Sequence, residues 1–222
     1  MLTQKEAVIF DLDGSLVDSM WIWPDVDREY MEKYHLTMPE RFHDCIEGMS
    51  YTETAQYFLD TFPTLHCTLE DVQREWLEMS HERYITQVKL KPGAEEFLEE
   101  MHRRGVKLGI ATSNTRTLVE DTLEALHVSA LFDDIRTSCE VAAGKPAPDV
   151  YLSVAESLHV NPEQCLVFED VPNGIRAGKN AGMAVCAVED DFSKPLAAVK
   201  RELADYYIQN YYDIANKTYE VL

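Results

Sequence analysis

Residues 7–15 read AVIFDLDGS and decide the fold of this 222-residue chain. The apolar run at 7–10 is short and continuous, which is typical of a strand buried on both faces of a parallel sheet. A polar turn with a glycine follows at once and carries Asp11 and Asp13. Ligands bind at the carboxyl ends of strands in open parallel sheets, so these two aspartates are candidate functional residues.

Hydrophobic periodicity divides the rest of the chain into two regions. Residues 18–88 predict helices throughout, with apolar stripes at helical spacing and a capping box formed by Thr68 and Asp71. From residue 91 onward, strand and helix patterns alternate, with strands predicted at 106–111, 134–137, 165–168, 184–188 and 206–208.

This organisation predicts an α/β fold, in which a Rossmann-like doubly wound parallel sheet core carries an inserted all-helical domain. The core takes residues 1–17 and 89–222, because the first strand cannot be stable alone and must join the later sheet. The insertion takes residues 18–88.

Charge and composition exclude several classes of protein. The formal charge is −20, from 40 acidic and 20 basic residues, and such a surface repels phosphate backbones, so we expect no nucleic-acid partner. No apolar run reaches the roughly 18 residues of a membrane span, and the polar start does not resemble a signal peptide. The five cysteines lack C-x-x-C spacing, which favours reduced thiols. We therefore expect a cytoplasmic monomer with no membrane partner.

Polar side chains recur where the predicted strands end. In chain order these are Asp11 and Asp13, then Thr112-Ser113-Asn114, then Lys145, and last Glu169-Asp170. Converging carboxylates repel one another unless a cation holds them, and oxygen ligands alone favour Mg²⁺. A lysine beside that cation requires an anion between the two, such as a phosphate. The pattern predicts phosphoryl transfer, in which a carboxylate can attack phosphorus.

Four motifs resemble those of the haloacid dehalogenase superfamily. They are DLDGSLVDS at 11–19, TSN at 112–114, KP at 145–146 with DVY at 149–151, and FEDVPNGIRAG at 168–178. The resemblance covers nearly the whole chain, and its motif style is most similar to that of the subgroup containing β-phosphoglucomutase. It implies that the helical insertion is a cap that closes over the site.

The resemblance implies a role for each matching residue. Asp11 is the nucleophile, whereas Asp13 is the general acid for the leaving oxygen and then the base that activates water. Thr112 and Lys145 hold phosphoryl oxygens. The implied Mg²⁺ ligands are Asp11, the backbone carbonyl of Asp13, Glu169 and Asp170.

Candidates for substrate contacts are less firmly tied to the motifs. Gly14, Ser113 and Asn114 are the candidates in the core. Trp23 and Tyr51 in the cap either line the substrate pocket or pack the cap's own core. Thr112 has an alternative role as the N-cap of the following helix.

The expected activity is hydrolysis of a small phosphate monoester, a sugar phosphate or similar metabolite, through an aspartyl-phosphate on Asp11. A sugar-phosphate mutase is the alternative. The mutases of the subgroup have a histidine where this chain has residues 21–23, WIW, and a cap arginine where it has Tyr51. Tyrosine cannot make a charge-assisted contact to a second phosphate, which favours hydrolysis. A binding protein without turnover is a third hypothesis, although every expected catalytic residue is present.

Overall fold

The computed structural model describes residues 1–222, apart from the side chain of Asp44. The strands are β1 (Ala7–Phe10), β2 (Val17–Asp18), β3 (Lys89–Leu90), β4 (Lys107–Thr112), β5 (Asp134–Thr137), β6 (Cys165–Glu169), β7 (Ala184–Val188), β8 (Tyr206–Ile208) and β9 (Glu220–Val221). The helices are α1 (Ile22–Tyr34), α2 (Phe42–Ile46), α3 (Tyr51–Thr61), α4 (Leu69–Thr86), α5 (Ala94–Arg103), α6 (Arg116–Ala125), α7 (Asp149–Ser157), α8 (Pro172–Asn180), α9 (Ala197–Leu203) and α10 (Tyr212–Asn216).

Seven strands form one sheet in the order β5-β4-β1-β6-β7-β8-β9. Neighbouring strands are parallel except β8 and β9, which pair antiparallel. From the central β1 the chain passes to β4 and β5 on one side, and it later fills β6, β7 and β8 on the other side. The connections therefore diverge at β1, which opens a crevice at the carboxyl ends of the strands beside it.

Apolar clusters cover both faces of the sheet. Val8 and Phe10 belong to one cluster, in which the Phe10 and Phe168 rings stack with centroids 5.3 Å apart. Ile9 and Val167 belong to the cluster on the opposite face. Successive residues of a strand point to opposite faces, so burial on both sides explains the continuous apolar run of β1.

Helices α1 to α4 pack around aromatic side chains that belong to the same apolar cluster as Phe10. The Phe58 ring lies edge-on to Trp76, with centroids 5.3 Å apart, and edge-on to Tyr30 at the same centroid distance. Capping boxes begin α3, with Ser50 as its N-cap, and α4, with Thr68 as its N-cap. None of the described helices is long and apolar enough to cross a membrane.

The structure confirms the predicted fold class, with the strands at 134–137, 184–188 and 206–208 at their predicted bounds and β4 one residue later than predicted. The prediction of helix from residue 18 onward is wrong at its start. Asp18 lies in β2, which pairs antiparallel with β3 through Val17–Leu90 and Asp18–Lys89. The two chain segments that join core and insertion thus form a ribbon. The domain bounds at 17/18 and 88/89 stay a prediction.

Candidate active site

The carboxyl ends of β1, β4 and β6 bring the predicted site residues together. Asp11 directly follows β1, and Thr112 and Glu169 end β4 and β6. The segment between β5 and α7 carries Lys145 to the same place, across 134 positions of the chain from Asp11. Its Nζ lies 2.7 Å from Asp11 Oδ1 and 2.6 Å from Glu169 Oε1.

Lys145 is buried between two carboxylates. Burial alone would lower the pKa of Lys145, but Asp11 and Glu169 outweigh burial and raise it above 10.5. The ammonium therefore stays charged at neutral pH. A fixed positive charge beside the Asp11 carboxylate suits the binding of an anion at this point.

Glu169 is fully buried, and protein donors contact both of its carboxylate oxygens. Oε1 accepts from Lys145 and from the Tyr151 hydroxyl at 2.7 Å, while Oε2 accepts from the N–H of Asp170 at 3.0 Å. Gly174 makes room for this carboxylate, because a Cβ there would lie 1.8 Å from Oε1. These contacts make Glu169 a buried counterion that positions Lys145, and its role as a metal ligand stays a prediction.

Three carboxylates form a group that could hold a cation. One oxygen each of Asp11, Glu169 and Asp170 lies within 4.8 Å of the others. Asp170 Oδ1 accepts from the Ser15 hydroxyl at 3.0 Å, but Oδ2 is buried and has no hydrogen-bond partner among the described residues. Burial raises the pKa of Asp170 well above 3.8, and it raises that of Asp11 to about 7 although Lys145 opposes it. One lysine cannot neutralise three carboxylates, and an all-oxygen group with a vacant acceptor fits Mg²⁺.

Gly14 occupies a position where a side chain does not fit. Its φ is +77°, and an added Cβ would lie 2.4 Å from Asp170 Oδ2. The turn after β1 therefore passes directly over the carboxylate oxygen that lacks a partner. Contact between Gly14 and a substrate stays a prediction.

Asp13 accepts hydrogen bonds from three side chains. Oδ1 accepts from the hydroxyls of Ser19 and Tyr84, both at 2.5 Å, and Oδ2 accepts from Asn114 Nδ2 at 2.9 Å. Tyr84 lies near the end of α4 and Ser19 just after β2, so both connections to the insertion reach this carboxylate. The sequence does not single out Tyr84 as a site residue, because its spacing from Trp76 on α4 is that of a buried core stripe.

The segment after β4 joins the core to the insertion. Thr112 Oγ1 accepts from the Asn114 N–H at 3.1 Å, and the Ser113 carbonyl accepts from the Tyr51 N–H at 2.9 Å. The alternative role of Thr112 as a helix N-cap is wrong, because Thr115 caps α6. Thr112, Ser113 and Asn114 all border one cavity.

This cavity, of about 450 Å³, extends from Asp11 and Lys145 into the helical insertion. Trp23 and Tyr51 both border it. Tyr51 is also 6% exposed, and its hydroxyl donates to the Gln73 carbonyl at 3.1 Å. Tyr51 thus packs the core of the insertion as well as lining the cavity.

Residues 8–188 match the family described as haloacid dehalogenase-like hydrolase. A phosphorylated carbohydrates phosphatase from Thermotoga maritima is 33% identical over 178 residues, 80% of this chain and 82% of that protein. A probable pseudouridine-5'-phosphatase from Drosophila melanogaster is 32% identical, over 86% of this chain and 84% of that protein. Hexitol phosphatase A from Escherichia coli is 30% identical, over 86% of each.

Solved structures share the fold at lower identity. CbbY from Rhodobacter sphaeroides, in complex with phosphate, aligns with a TM-score of 0.79 and 24% identity, over 95% of this chain and 96% of its own. β-Phosphoglucomutase from Clostridium difficile aligns with a TM-score of 0.78 and 21% identity, over 96% of both chains. The likeness to both structures is one of fold.

Proposed function

The chain belongs to the haloacid dehalogenase-like hydrolase family, and from that premise we propose that it is a Mg²⁺-dependent phosphatase acting on a small phosphate monoester through an aspartyl-phosphate on Asp11. The observation that carries this proposal is the contact between Asp11 and Lys145, 2.7 Å apart at one end of a cavity. The relatives named as phosphatases of phosphorylated metabolites support it.

The first step is an attack of the Asp11 carboxylate on phosphorus. A new bond forms between Asp11 Oδ and phosphorus, and the bond from phosphorus to the ester oxygen breaks. The Asp13 carboxyl gives its proton to the departing oxygen, which leaves as an alcohol. Lys145 and Thr112 hold the oxygens of the phosphoryl group during the transfer.

The second step returns Asp11 to its starting state. Asp13, now a carboxylate, takes a proton from a water molecule whose oxygen attacks phosphorus. The bond between phosphorus and Asp11 breaks, and inorganic phosphate forms. Hydrogen bonds from Ser19, Tyr84 and Asn114 orient the Asp13 carboxylate for both proton transfers.

Asp11 and Asp170 of the three-carboxylate group are the side chains that would hold Mg²⁺, together with the backbone carbonyl of Asp13 that the family resemblance implies, while Glu169 pairs with Lys145. When bound, the ion would neutralise charge on the phosphoryl oxygens and on the carboxylates around them. The unpartnered Asp170 Oδ2 supports this assignment.

Contacts between insertion and core hold the insertion over the cavity. The Tyr51 N–H donates to the Ser113 carbonyl, and Asn173 Nδ2 donates to the Glu47 carbonyl at 2.9 Å. Such closure shields the reacting groups from bulk water. Release of the alcohol then requires these contacts to open.

A mutase would have to grip a second phosphate in the cavity. Among the described residues that border the cavity, the insertion contributes no lysine or arginine. Incubation with a hexose 1-phosphate and a bisphosphate activator separates the two activities. Free phosphate supports a phosphatase, and an isomerised sugar phosphate supports a mutase.

Phosphate release from p-nitrophenyl phosphate tests the proposed function. We expect turnover with Mg²⁺, loss of turnover with a chelator and recovery on adding Mg²⁺ back. Asp11→Asn keeps the shape of the side chain, removes the nucleophile and abolishes turnover. Wild-type rates in this variant would rule out the mechanism.

A further inference from the structure

The cavity is polar and charged beside Asp11, whereas its far end, in the insertion, is mainly apolar. Its volume of about 450 Å³ is that of a site for a small organic molecule. The insertion lines it mainly with apolar and aromatic side chains, namely Trp23, Val26, Phe42, Ile46, Met49 and Trp76. The segment after β7 adds Phe192 and Leu196 from the core.

Among the described residues, lysine and arginine reach the cavity only at its phosphoryl end, and His43, which lies beside Asp27, is the other basic side chain on the lining. Within the described part of the chain, Lys145 is the only lysine or arginine that borders the cavity, and Asp11 and Glu169 already pair with it. The insertion contributes the carboxylates of Asp27 and Glu47. A second phosphate or a carboxylate on the leaving group would lie beside like charges without a counterion, which opposes binding.

Asp27 is one of the polar side chains by which the insertion borders the cavity. Its side chain is 22% exposed, and His43 Nε2 lies 3.7 Å from its Oδ2, beyond hydrogen-bonding distance. Burial raises the pKa of Asp27 to about 6, and His43 opposes that shift. His43 can form an ion pair with this carboxyl but does not hydrogen-bond to it, so Asp27 can accept a hydrogen bond from a ligand in the cavity.

Trp23 provides an aromatic surface close to the reacting groups. It borders the cavity, and its ring centroid lies 6.1 Å from that of Tyr84, whose hydroxyl contacts Asp13. Trp23 therefore lies beside the proton donor of the leaving oxygen. Aromatic faces bind planar rings well, because stacking adds to the burial of apolar area.

Resting on the proposed function, we infer that the substrate is the monophosphate of an alcohol that carries no second anionic group and has a planar ring and a hydrogen-bond donor. The ring packs on Trp23 and the donor reaches Asp27. A bisphosphate, a phosphorylated carboxylic acid and a small acyclic phosphate lack one or more of these features.

A set of matched substrates tests this inference. Uridine 5′-monophosphate has the ring and the donor, ribose 5-phosphate lacks the ring, and uridine 3′,5′-bisphosphate adds a second phosphate. We expect kcat/KM for uridine 5′-monophosphate to exceed that for ribose 5-phosphate about tenfold and that for the bisphosphate about a hundredfold. Phosphocholine, whose alcohol has neither a planar ring nor a hydrogen-bond donor, should also be a poor substrate.

Variants of α1 assign the selectivity to Asp27. Asp27→Asn removes the repulsion, so the preference for the monophosphate over the bisphosphate should fall about tenfold. Asp25→Asn is the matched control, because it removes the same charge from an exposed position of the same helix, where Asp25 pairs with Arg28. We expect the preference of this control to equal that of the wild type.

The outcomes separate failure of the inferred substrate class from failure of the proposed phosphatase activity. Equal or faster turnover of ribose 5-phosphate, the bisphosphate or phosphocholine overturns the inferred substrate class, as does an unchanged preference in Asp27→Asn. Turnover of p-nitrophenyl phosphate without turnover of uridine 5′-monophosphate also overturns it and leaves the proposed phosphatase intact. Failure with every ester, including p-nitrophenyl phosphate, removes the proposed function itself.

Discussion

Tyr84 donates a 2.5 Å hydrogen bond to Asp13 across 71 positions of the chain. The contact joins α4, the longest helix of the insertion, to the proposed acid and base of the core. Burial, reinforced by the charge of Asp13, raises the pKa of Tyr84 well above 10.0, so the hydroxyl keeps its proton and remains a donor. Closure of the insertion and orientation of Asp13 are thereby linked.

Tyr84→Phe should lower kcat about tenfold and change KM little, because it removes one of three donors to Asp13 and keeps the ring. Steady-state kinetics on an alkyl phosphate measure this effect, since an alkoxide leaving group needs a proton. Tyr34→Phe is the matched control, because the Tyr34 hydroxyl donates to Glu75 and does not reach Asp13. Equal kcat in Tyr84→Phe and the control would show that the contact does not orient Asp13.

Gly14→Ala should raise the Mg²⁺ concentration for half-maximal activity at least about tenfold, because its Cβ would lie 2.4 Å from Asp170 Oδ2. Gly105→Ala is the control, since Gly105 has a similar φ of +72° and nothing within 4 Å of its added Cβ. Both variants carry backbone strain, but only the first displaces Asp170. A Mg²⁺ titration in which the two variants behave alike would refute this account of Gly14.

Glu169→Gln should lower the free energy of unfolding by about 1.5 kcal/mol, because it weakens the buried hydrogen bonds from Lys145 and Tyr151, although Lys145 keeps Asp11 as a partner. Urea unfolding monitored by tryptophan fluorescence measures the change. The exposed Glu163 provides the control variant Glu163→Gln, which should cost less than about 0.5 kcal/mol. A comparable loss in both variants would mean that Glu169 is not a buried counterion.

Asp27→Asn should stabilise the protein at about pH 8, by at most about 3 kcal/mol, because the pKa of Asp27 is raised from 3.8 to about 6 in the fold. A raised pKa contributes stability below pH 3.8 that is lost as the pH rises through about 6. Asp27→Asn has no carboxyl to titrate and so does not lose this stability, and the difference in stability between the variant and the wild type should vanish near pH 4. Thermal unfolding across this range, with Asp25→Asn as the control, checks the sign. A stability difference that is independent of pH would contradict it.

Much of the core followed from the sequence, because strands buried on both faces are continuous apolar runs and parallel strands place their carboxyl ends together. On that basis alone the sequence predicts that one site contains Asp11, Lys145 and Asp170. The ribbon of β2 and β3 could not be predicted from the sequence, because strands of two residues are too short to show a hydrophobic period.

The hydrogen bonds that orient the Asp13 and Glu169 carboxylates also could not be predicted from the sequence. Tyr84 and Tyr151 lie on apolar stripes of α4 and α7, where an aromatic residue is most simply explained by packing. Only the tertiary fold aims their hydroxyls at carboxylates far away in the chain. Thr115 has the capping role considered for Thr112, because three residues separate the end of β4 at Thr112 from the start of α6 at Arg116.

The central claim is that Asp11 becomes phosphorylated during turnover. Borohydride reduces an acyl phosphate to an alcohol, so quenching the reaction with it and mapping peptides by mass spectrometry reports the site directly. We expect homoserine at position 11 only when substrate and Mg²⁺ are both present, and no homoserine at that position in Asp11→Asn. The mechanism would be contradicted if Asp11 stayed unmodified while the enzyme was turning over and if Asp11→Asn kept the activity of the wild type.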